Sequence, residues 1–382
     1  MSTGRTADCE IAVVGAGVVG CAVALALARR GAAVAVLEAE PEPACGASGA
    51  NSGILHTGFD STPGELETEL ILRSDELRGT ALAELGVPAV RCGAEMRARG
   101  VREDDAVSAI RAGAQANGVE VLERADGTLE IPGETITDPA VYTLALAHSA
   151  QLHGARVLTS FRVSAIERTS PGPLLIRSHH GAALSALVAV NCAGLQADAV
   201  ARMVGDDSFE VYPRKGEFLV FDQPAGTRLE RILLPVPTKR TKGVLVFPTV
   251  DGKVIAGPTA VDLEDKDDRS VRAEARDEIL PKASTMYPPL EGLEPIAAYA
   301  GLRPAGRGVN YLLGVSGACP RLVNVAAIRS TGLSASLGIG ERACSLVGSV
   351  GIALGPEREL LAGQLTAPPE PWWRRAAERA AR

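Results

Sequence analysis

Apolar positions along this chain fall into short continuous runs near the start and into two other rhythms further on. Ile11-Ala12-Val13-Val14 is a four-residue strand-forming run. It enters Gly15-Ala16-Gly17-Val18-Val19-Gly20, an apolar helical stretch extends from Cys21 to Arg30, and a second run, Ala33-Val34-Ala35-Val36-Leu37, stops at Glu38. Length and bounding glycines predict strand, helix, strand. Leu66, Leu70, Leu77, Leu82 and Leu85, with charges between them, predict a helix over Glu65–Leu85. Another is expected over Val101–Asn117, closed by Gly118. Asp138-Pro139 reads as an N-cap and first helical residue, with Gly154 ending that helix after His153. Strands are expected at Val90–Cys92, Glu95–Ala98, Val157–Ile166, Leu174–Arg177, Ala186–Gly194 and Leu322–Ala327. Between Tyr212 and Thr259 strand runs such as Glu217–Phe221 and Gly243–Phe247 alternate with turns, which predicts an antiparallel sheet. Asp262–Asp268 reads as a solvated acidic loop, Ser270–Ala283 as a helix, and a helix is expected to open near Leu333.

This order predicts an α/β protein with interleaved lobes. A Rossmann-type lobe with a mostly parallel sheet takes residues 1–80, 140–205 and 300–382. An α+β lobe on a mainly antiparallel sheet takes 81–139 and 206–299. The chain crosses between the two several times, so a shared cleft is the natural place for ligands to meet. A formal net charge of −7 without a basic block argues against nucleic acid as a partner. The seven cysteines have no C-x-x-C pair, which fits reduced thiols in a cytoplasmic protein rather than a disulfide frame or metal site. Met1–Cys9 lacks the apolar centre of a signal peptide, and no apolar run approaches the roughly eighteen residues of a membrane span. The Trp372-Trp373 tail, set among arginines, is expected to dock on its own protein, with membrane contact at most peripheral.

The first βαβ unit carries chemistry. Gly15 permits the tight turn, Gly17 lets a pyrophosphate approach the backbone, and Gly20 lets the helix lie close to the strand. The helix N-terminus, at Val18 and Val19, favours phosphate. Glu38, about twenty residues on, is placed to accept hydrogen bonds from a ribose. A bound dinucleotide is therefore expected.

Further motifs extend this reading: Gly49-Ala50-Asn51-Ser52-Gly53-Ile54-Leu55-His56-Thr57-Gly58, Arg214-Lys215-Gly216-Glu217, Pro235-Val236-Pro237-Thr238-Lys239, Gly301-Leu302-Arg303-Pro304 and Ile328-Arg329-Ser330-Thr331-Gly332-Leu333-Ser334. With the opening unit they resemble the FAD-dependent oxidoreductases of the D-amino-acid oxidase superfamily. The nearest branch holds glycerol-3-phosphate oxidases and dehydrogenases and L-2-hydroxyglutarate dehydrogenases. The resemblance runs from about Cys9 to Val350 and implies FAD held at the first motif, with its isoalloxazine at the lobe boundary. Gly317-Ala318-Cys319-Pro320 does not match the motif by which some amine-oxidising relatives attach flavin, so the FAD is expected to be non-covalent.

The residues fit a long cofactor. Asn51-Ser52-Gly53 offers donors beside a missing side chain, Ala193-Gly194 ends a strand in small residues, and Val163 is placed by the resemblance against the adenine. Gly332, Leu333 and Ser334 open a helix whose positive end suits the flavin pyrimidine, with Arg329 close by. The resemblance places His56 on the substrate side, where an imidazole can take a hydroxyl proton. Arg303, read as lying in a loop, offers a fork for a carboxylate or phosphate. Lys239 follows a proline-locked turn and is a third candidate toward substrate, with Lys242 as an alternative. His148, His153, His179 and His180 read as solvated or structural.

The expected reaction is oxidation of a small anionic hydroxy compound, with oxygen or a quinone as final acceptor and no metal. An amine or amino-acid oxidase of the same fold is the alternative. A nicotinamide-dependent dehydrogenase, or a dinucleotide-binding protein without turnover, is the third reading.

Overall fold

The computed structural model describes residues 7–98, 101–169, 172–237, 243–365 and 368–381. Its first sheet is built on β1 (Cys9–Val14), which pairs in parallel with β2 (Val34–Leu37) on one side and with Ala183–Asn191 on the other. Arg156–Leu158 adds to β2, and Leu322–Ala326 adds to the end of Ala183–Asn191, both in parallel. Val163–Arg168 and Leu174–Ser178, an antiparallel hairpin, and Leu312–Val315, antiparallel to Leu322–Ala326, lie beyond Ala183–Asn191 on one side, and Arg156–Leu158 is the opposite edge.

Helix α1 (Val18–Ala28) is apolar all round, and it is buried nearly all round. Helix Pro139–Leu152 and helix Gly332–Ser349 both pack on it. Small residues permit the closeness: a Cβ at Gly340 would stand 2.9 Å from the Ala22 carbonyl oxygen. The expected cap is present, since the Asp138 carboxylate accepts from the N–H groups of Ala140 and Val141, each at 2.9 Å.

A second, nine-stranded sheet is centred on the long pair Val211–Phe221 and Ala297–Gly306. It is antiparallel apart from Ile232–Leu234, which runs parallel to Ala94–Met96. A small sheet of Ile54–Leu55, Thr135–Thr137 and Ala89–Val90 joins the two regions.

Four expectations are corrected. The run Val157–Ile166 is two strands, broken where Ser160 takes φ 54°. Gly301–Pro304 belongs to a ten-residue strand rather than a loop. Pro304 stands opposite Pro213, so neither missing N–H is asked to bridge that pair. The helix expected from Ser270 begins at Ala275, because Glu217 and Lys215 hold Arg272 and Ser270 in an extended approach. Asp262–Asp268 is also not simply solvated. Asp262 pairs with Arg214, Lys266 with Asp198 and Asp268 with Lys215, at 2.9, 2.6 and 2.8 Å.

Candidate active site

The β1–α1 turn forms one end of a cleft of about 440 Å³. Gly15 takes φ +101°, and a Cβ there would stand 2.5 Å from the Cys192 carbonyl oxygen. At Gly20 a Cβ would meet the Gly15 oxygen at 1.9 Å, so glycine is the residue that lets α1 start this close to the strand ends. Gly15, Gly17, Val18, Val19, Glu38, Val163, Ala193, Gly194, Arg329, Gly332 and Leu333 all border the cleft.

The Glu38 carboxylate accepts from the N–H of Ala16 at 2.6 Å and of Glu40 at 2.9 Å. Burial outweighs these bonds and raises its pKa above the ordinary carboxylate value. Ser48, unremarked in the sequence, puts its Oγ 2.9 Å from the Val18 N–H. Arg162, Lys266, Arg269 and His179 also border the cleft, His179 as an exposed side chain. A cradle with no room for side chains, a helix N-terminus, a carboxylate and nearby cations suit a dinucleotide diphosphate.

A second cavity of about 500 Å³ meets the cleft at Ala47, Asn51 and Arg329. His56, Ser52 and Arg303 line it together with Phe59, Met96, Phe218 and Phe247. Gly53 and Ser334 border neither space. Gly53 lies against the chain behind the loop, where a Cβ would come 2.3 Å from the Thr137 oxygen. Ser334 accepts the His56 N–H at 2.8 Å. Lys239 and Lys242 lie outside the described residues.

His56 leaves strand Ile54–Leu55 and is held on several sides. Arg78, buried in helix Leu66–Glu84, donates twice to the His56 carbonyl oxygen, each bond 3.1 Å. Burial lowers the pKa of that guanidinium. Nδ1 of His56 lies 2.8 Å from Oε2 of Glu134, a carboxylate with 0% exposure. The other Glu134 oxygen accepts from the Thr57 N–H at 2.7 Å and from the Thr57 hydroxyl at 3.0 Å. Nothing in the sequence singled out Glu134 as a partner of His56.

Arg303 donates to the backbone oxygens of Arg214 and Thr259, both at 3.4 Å. Among the described residues no carboxylate stands within ion-pair distance of it, because Asp262 is taken by Arg214. Burial, reinforced by the neighbouring Arg214, pushes its pKa down to about 10. Arg329 lies 3.7 Å from Glu67, which also accepts from Thr331 and Asn310.

The tail docks, as expected. Helix Trp372–Ala380 buries both indoles, at 1% and 2% exposure. Trp372 Nε1 donates to the Asn51 oxygen at 3.0 Å, and Arg379 donates to the Gly49 oxygen at 3.0 Å. These bonds fix the cavity loop from its outer side.

Comparison with known proteins gives the following. The family model described as "FAD dependent oxidoreductase" (DAO) matches residues 10–346. A glycerol 3-phosphate dehydrogenase of Caloramator mitchellensis is 31% identical over 343 residues, 86% of this chain and 71% of the relative. An L-2-hydroxyglutarate dehydrogenase of Escherichia coli K12 is 27% identical over 270 residues, 66% of this chain and 64% of its own length. The solved structure of dithionite-reduced L-alpha-glycerophosphate oxidase from Mycoplasma pneumoniae, with FAD bound, superposes with a TM-score of 0.87. It is 25% identical, covering 94% of this chain and 99% of that one.

Proposed function

Because the chain belongs to the DAO family of FAD-dependent oxidoreductases, we propose that it oxidises a small anionic hydroxy compound, glycerol 3-phosphate or an L-2-hydroxy acid such as 2-hydroxyglutarate. The observation that carries this reading is one cavity lined by both His56, backed by Glu134, and Arg303, a cation without a carboxylate partner among the described residues.

The residues suited to FAD follow the cleft. Gly15, Gly17, Val18, Val19, Gly20 and Glu38 would hold its adenosine diphosphate end, with Val163, Ala193 and Gly194 beside it. Asn51 and Ser52 in one loop, and Arg329, Gly332 and Leu333 at the helix opening, would hold the other end, with Gly53 and Ser334 supporting the His56 loop from behind. Non-covalent binding is supported by Cys319, which is 1% exposed in the core beneath Leu322 and borders neither space. FAD when bound supplies the acceptor for the hydride that leaves the carbinol carbon. Arg303 binds the substrate's phosphate or carboxylate and fixes its orientation. His56 receives the hydroxyl proton at Nε2 as the carbonyl forms, a role of general base worth about 10²–10⁴-fold. The apolar walls from Phe59, Phe218 and Phe247 limit water around the reacting atoms.

The assignment of 1–80, 140–205 and 300–382 to the FAD lobe, and of 81–139 and 206–299 to the substrate lobe, is part of this proposal. So are oxygen or a quinone as final acceptor and a place in the cytoplasm. Seven free cysteines support the last, and no described helix is long and apolar enough to cross a membrane.

The test is anaerobic mixing of the flavin-loaded protein with glycerol 3-phosphate, L-2-hydroxy acids and amino acids. Rapid bleaching of the yellow colour by an anionic hydroxy compound is expected. Bleaching by amino acids alone would replace this reading with the amine-oxidising one.

A further inference from the structure

Glu134 is 78 residues from His56 in the chain, yet the fold brings the two side chains to 2.8 Å, with the carboxylate fully buried. We propose that Glu134 is the positioning residue of the reaction: it sets the tautomer and the direction of the His56 ring, and so decides that Nε2 is the atom able to accept the substrate proton. This rests on the reading of His56 as the base.

The hydrogen bonds determine the direction. Oε1 of Glu134 is engaged by two donors, the Thr57 backbone N–H and the Thr57 hydroxyl. A backbone N–H can only donate, so this oxygen must accept. With Glu134 as a carboxylate, Oε2 can likewise only accept, so its 2.8 Å contact with Nδ1 puts the ring proton on Nδ1. In the neutral ring Nε2 is left with its lone pair. Glu134 is fully buried while 19% of the His56 side chain is exposed, so the ring edge away from Glu134 is the one open to the cavity.

Local packing makes this arrangement rigid. A Cβ at Gly133 would come 2.6 Å from the Thr57 methyl, so glycine allows the turn before Glu134 to close on Thr57. Arg78 donates to the carbonyl of His56, and Ser334 accepts its N–H. The ring therefore has a fixed pivot as well as a fixed partner. A base held this way meets the substrate hydroxyl without a search over rotamers.

The same geometry makes Glu134→Gln informative. The Thr57 N–H still demands an oxygen, which turns the new amide so that its NH₂ faces Nδ1. Nδ1 must then accept, the ring proton moves to Nε2, and the atom facing the substrate becomes a donor. No other group need move. The comparable acid-to-amide change in serine proteases leaves geometry intact and lowers kcat about 10⁴-fold.

The experiment uses flavin-loaded wild type and Glu134→Gln, labelled with nitrogen-15 at histidine. Long-range proton–nitrogen spectra are recorded at alkaline pH, where imidazole is neutral. With five histidines in the chain, the His56 signals are assigned by their loss in His56→Gln. Wild type is expected to show the proton on Nδ1, and Glu134→Gln to show it on Nε2 with unchanged flavin content. In single-turnover reduction, Glu134→Gln is expected to react at least about 10²-fold more slowly, with half-saturation within about threefold of wild type. The double variant His56→Gln/Glu134→Gln should be no slower than His56→Gln.

An Nδ1 proton retained in Glu134→Gln, or reduction within about threefold of wild type, overturns the proposal. Should Glu134→Gln not retain flavin, Glu134→Asp decides. It keeps an acceptor and should keep the Nδ1 proton and part of the rate, whereas an Nε2 proton in that variant overturns the assignment. If no anionic hydroxy compound reduces wild type, the substrate reading falls, and the tautomer measurement still settles Glu134.

Discussion

Replacing Arg303 by alanine separates binding from folding. In the free protein this guanidinium gains little: two bonds to backbone oxygens at 3.4 Å, the long limit for such contacts, and no carboxylate among the described residues. Burial and the nearby Arg214 already act against its charge. Its removal gives up two weak bonds and relieves a desolvated cation, so the change in folding stability is expected to stay within about 1 kcal/mol. Toward substrate the balance reverses. A hydrogen bond to a charged group contributes about 1.5–3 kcal/mol, which corresponds to a rise in KM of roughly 10- to 150-fold. Arg303→Lys keeps the charge without the fork and should fall between. The assay is steady-state kinetics on the hydroxy compound that bleaches the flavin, beside thermal melts of the three proteins. An unchanged KM in Arg303→Ala would take the substrate anion away from Arg303. A large fall in melting temperature at constant KM would make the residue a structural one.

Gly17→Val is expected to abolish FAD retention, because the branched side chain enters the cleft beside Ser48, whose Oγ already lies 3.2 Å from a Cβ at that position. Normal flavin absorbance per chain would remove Gly17 from the cradle. Trp372→Phe deletes a single donor to the Asn51 oxygen. The loss of about 1 kcal/mol should weaken FAD affinity about fivefold in a flavin titration, and no change would mean that the tail does not fix the loop. Acid should destabilise the fold through Glu217 and Asp268. Burial opposes ionisation of Glu217, but the bonds from Arg272 and Thr259 outweigh it, while Lys215 holds Asp268 below its ordinary value. Both folded-state pKa values are depressed, so this stability is present above the unfolded values of 4.5 and 3.8 and is lost as pH falls through the folded ones. Urea midpoints should drop below pH 4.5, with a shallower drop in Glu217→Gln. A midpoint flat through that range would contradict the assignment.

The βαβ unit was legible because its constraints are local. Gly20 is fixed by the Gly15 oxygen of the same turn, Gly15 takes the positive φ that turn needs, and Glu38 sits at the end of the adjacent strand. Helix Pro139–Leu152 was legible for the same reason, since its cap and first residue adjoin in sequence. Arg303 was found as a site residue but given the wrong element. Gly301 and Pro304 look like breakers until Gly216 and Pro213 are seen opposite them. The acidic run Asp262–Asp268 looked solvated because Arg214, Asp198 and Lys215 reach it from elsewhere in the chain. Glu134 gave no signal at all. It sits in an ordinary Pro-Gly-Glu turn, and only the pairing of Ile54–Leu55 with Thr135–Thr137 brings it beside His56.

In the proposed reaction one substrate molecule spans Arg303 and His56 in front of the flavin. A crystal structure of the flavin-loaded protein with its hydroxy substrate, held under anaerobic conditions, tests this most directly. The phosphate or carboxylate is expected on the Arg303 guanidinium and the reacting oxygen about 2.6–3.2 Å from His56 Nε2. An anion bound elsewhere, or a reacting oxygen out of reach of that nitrogen, would contradict it.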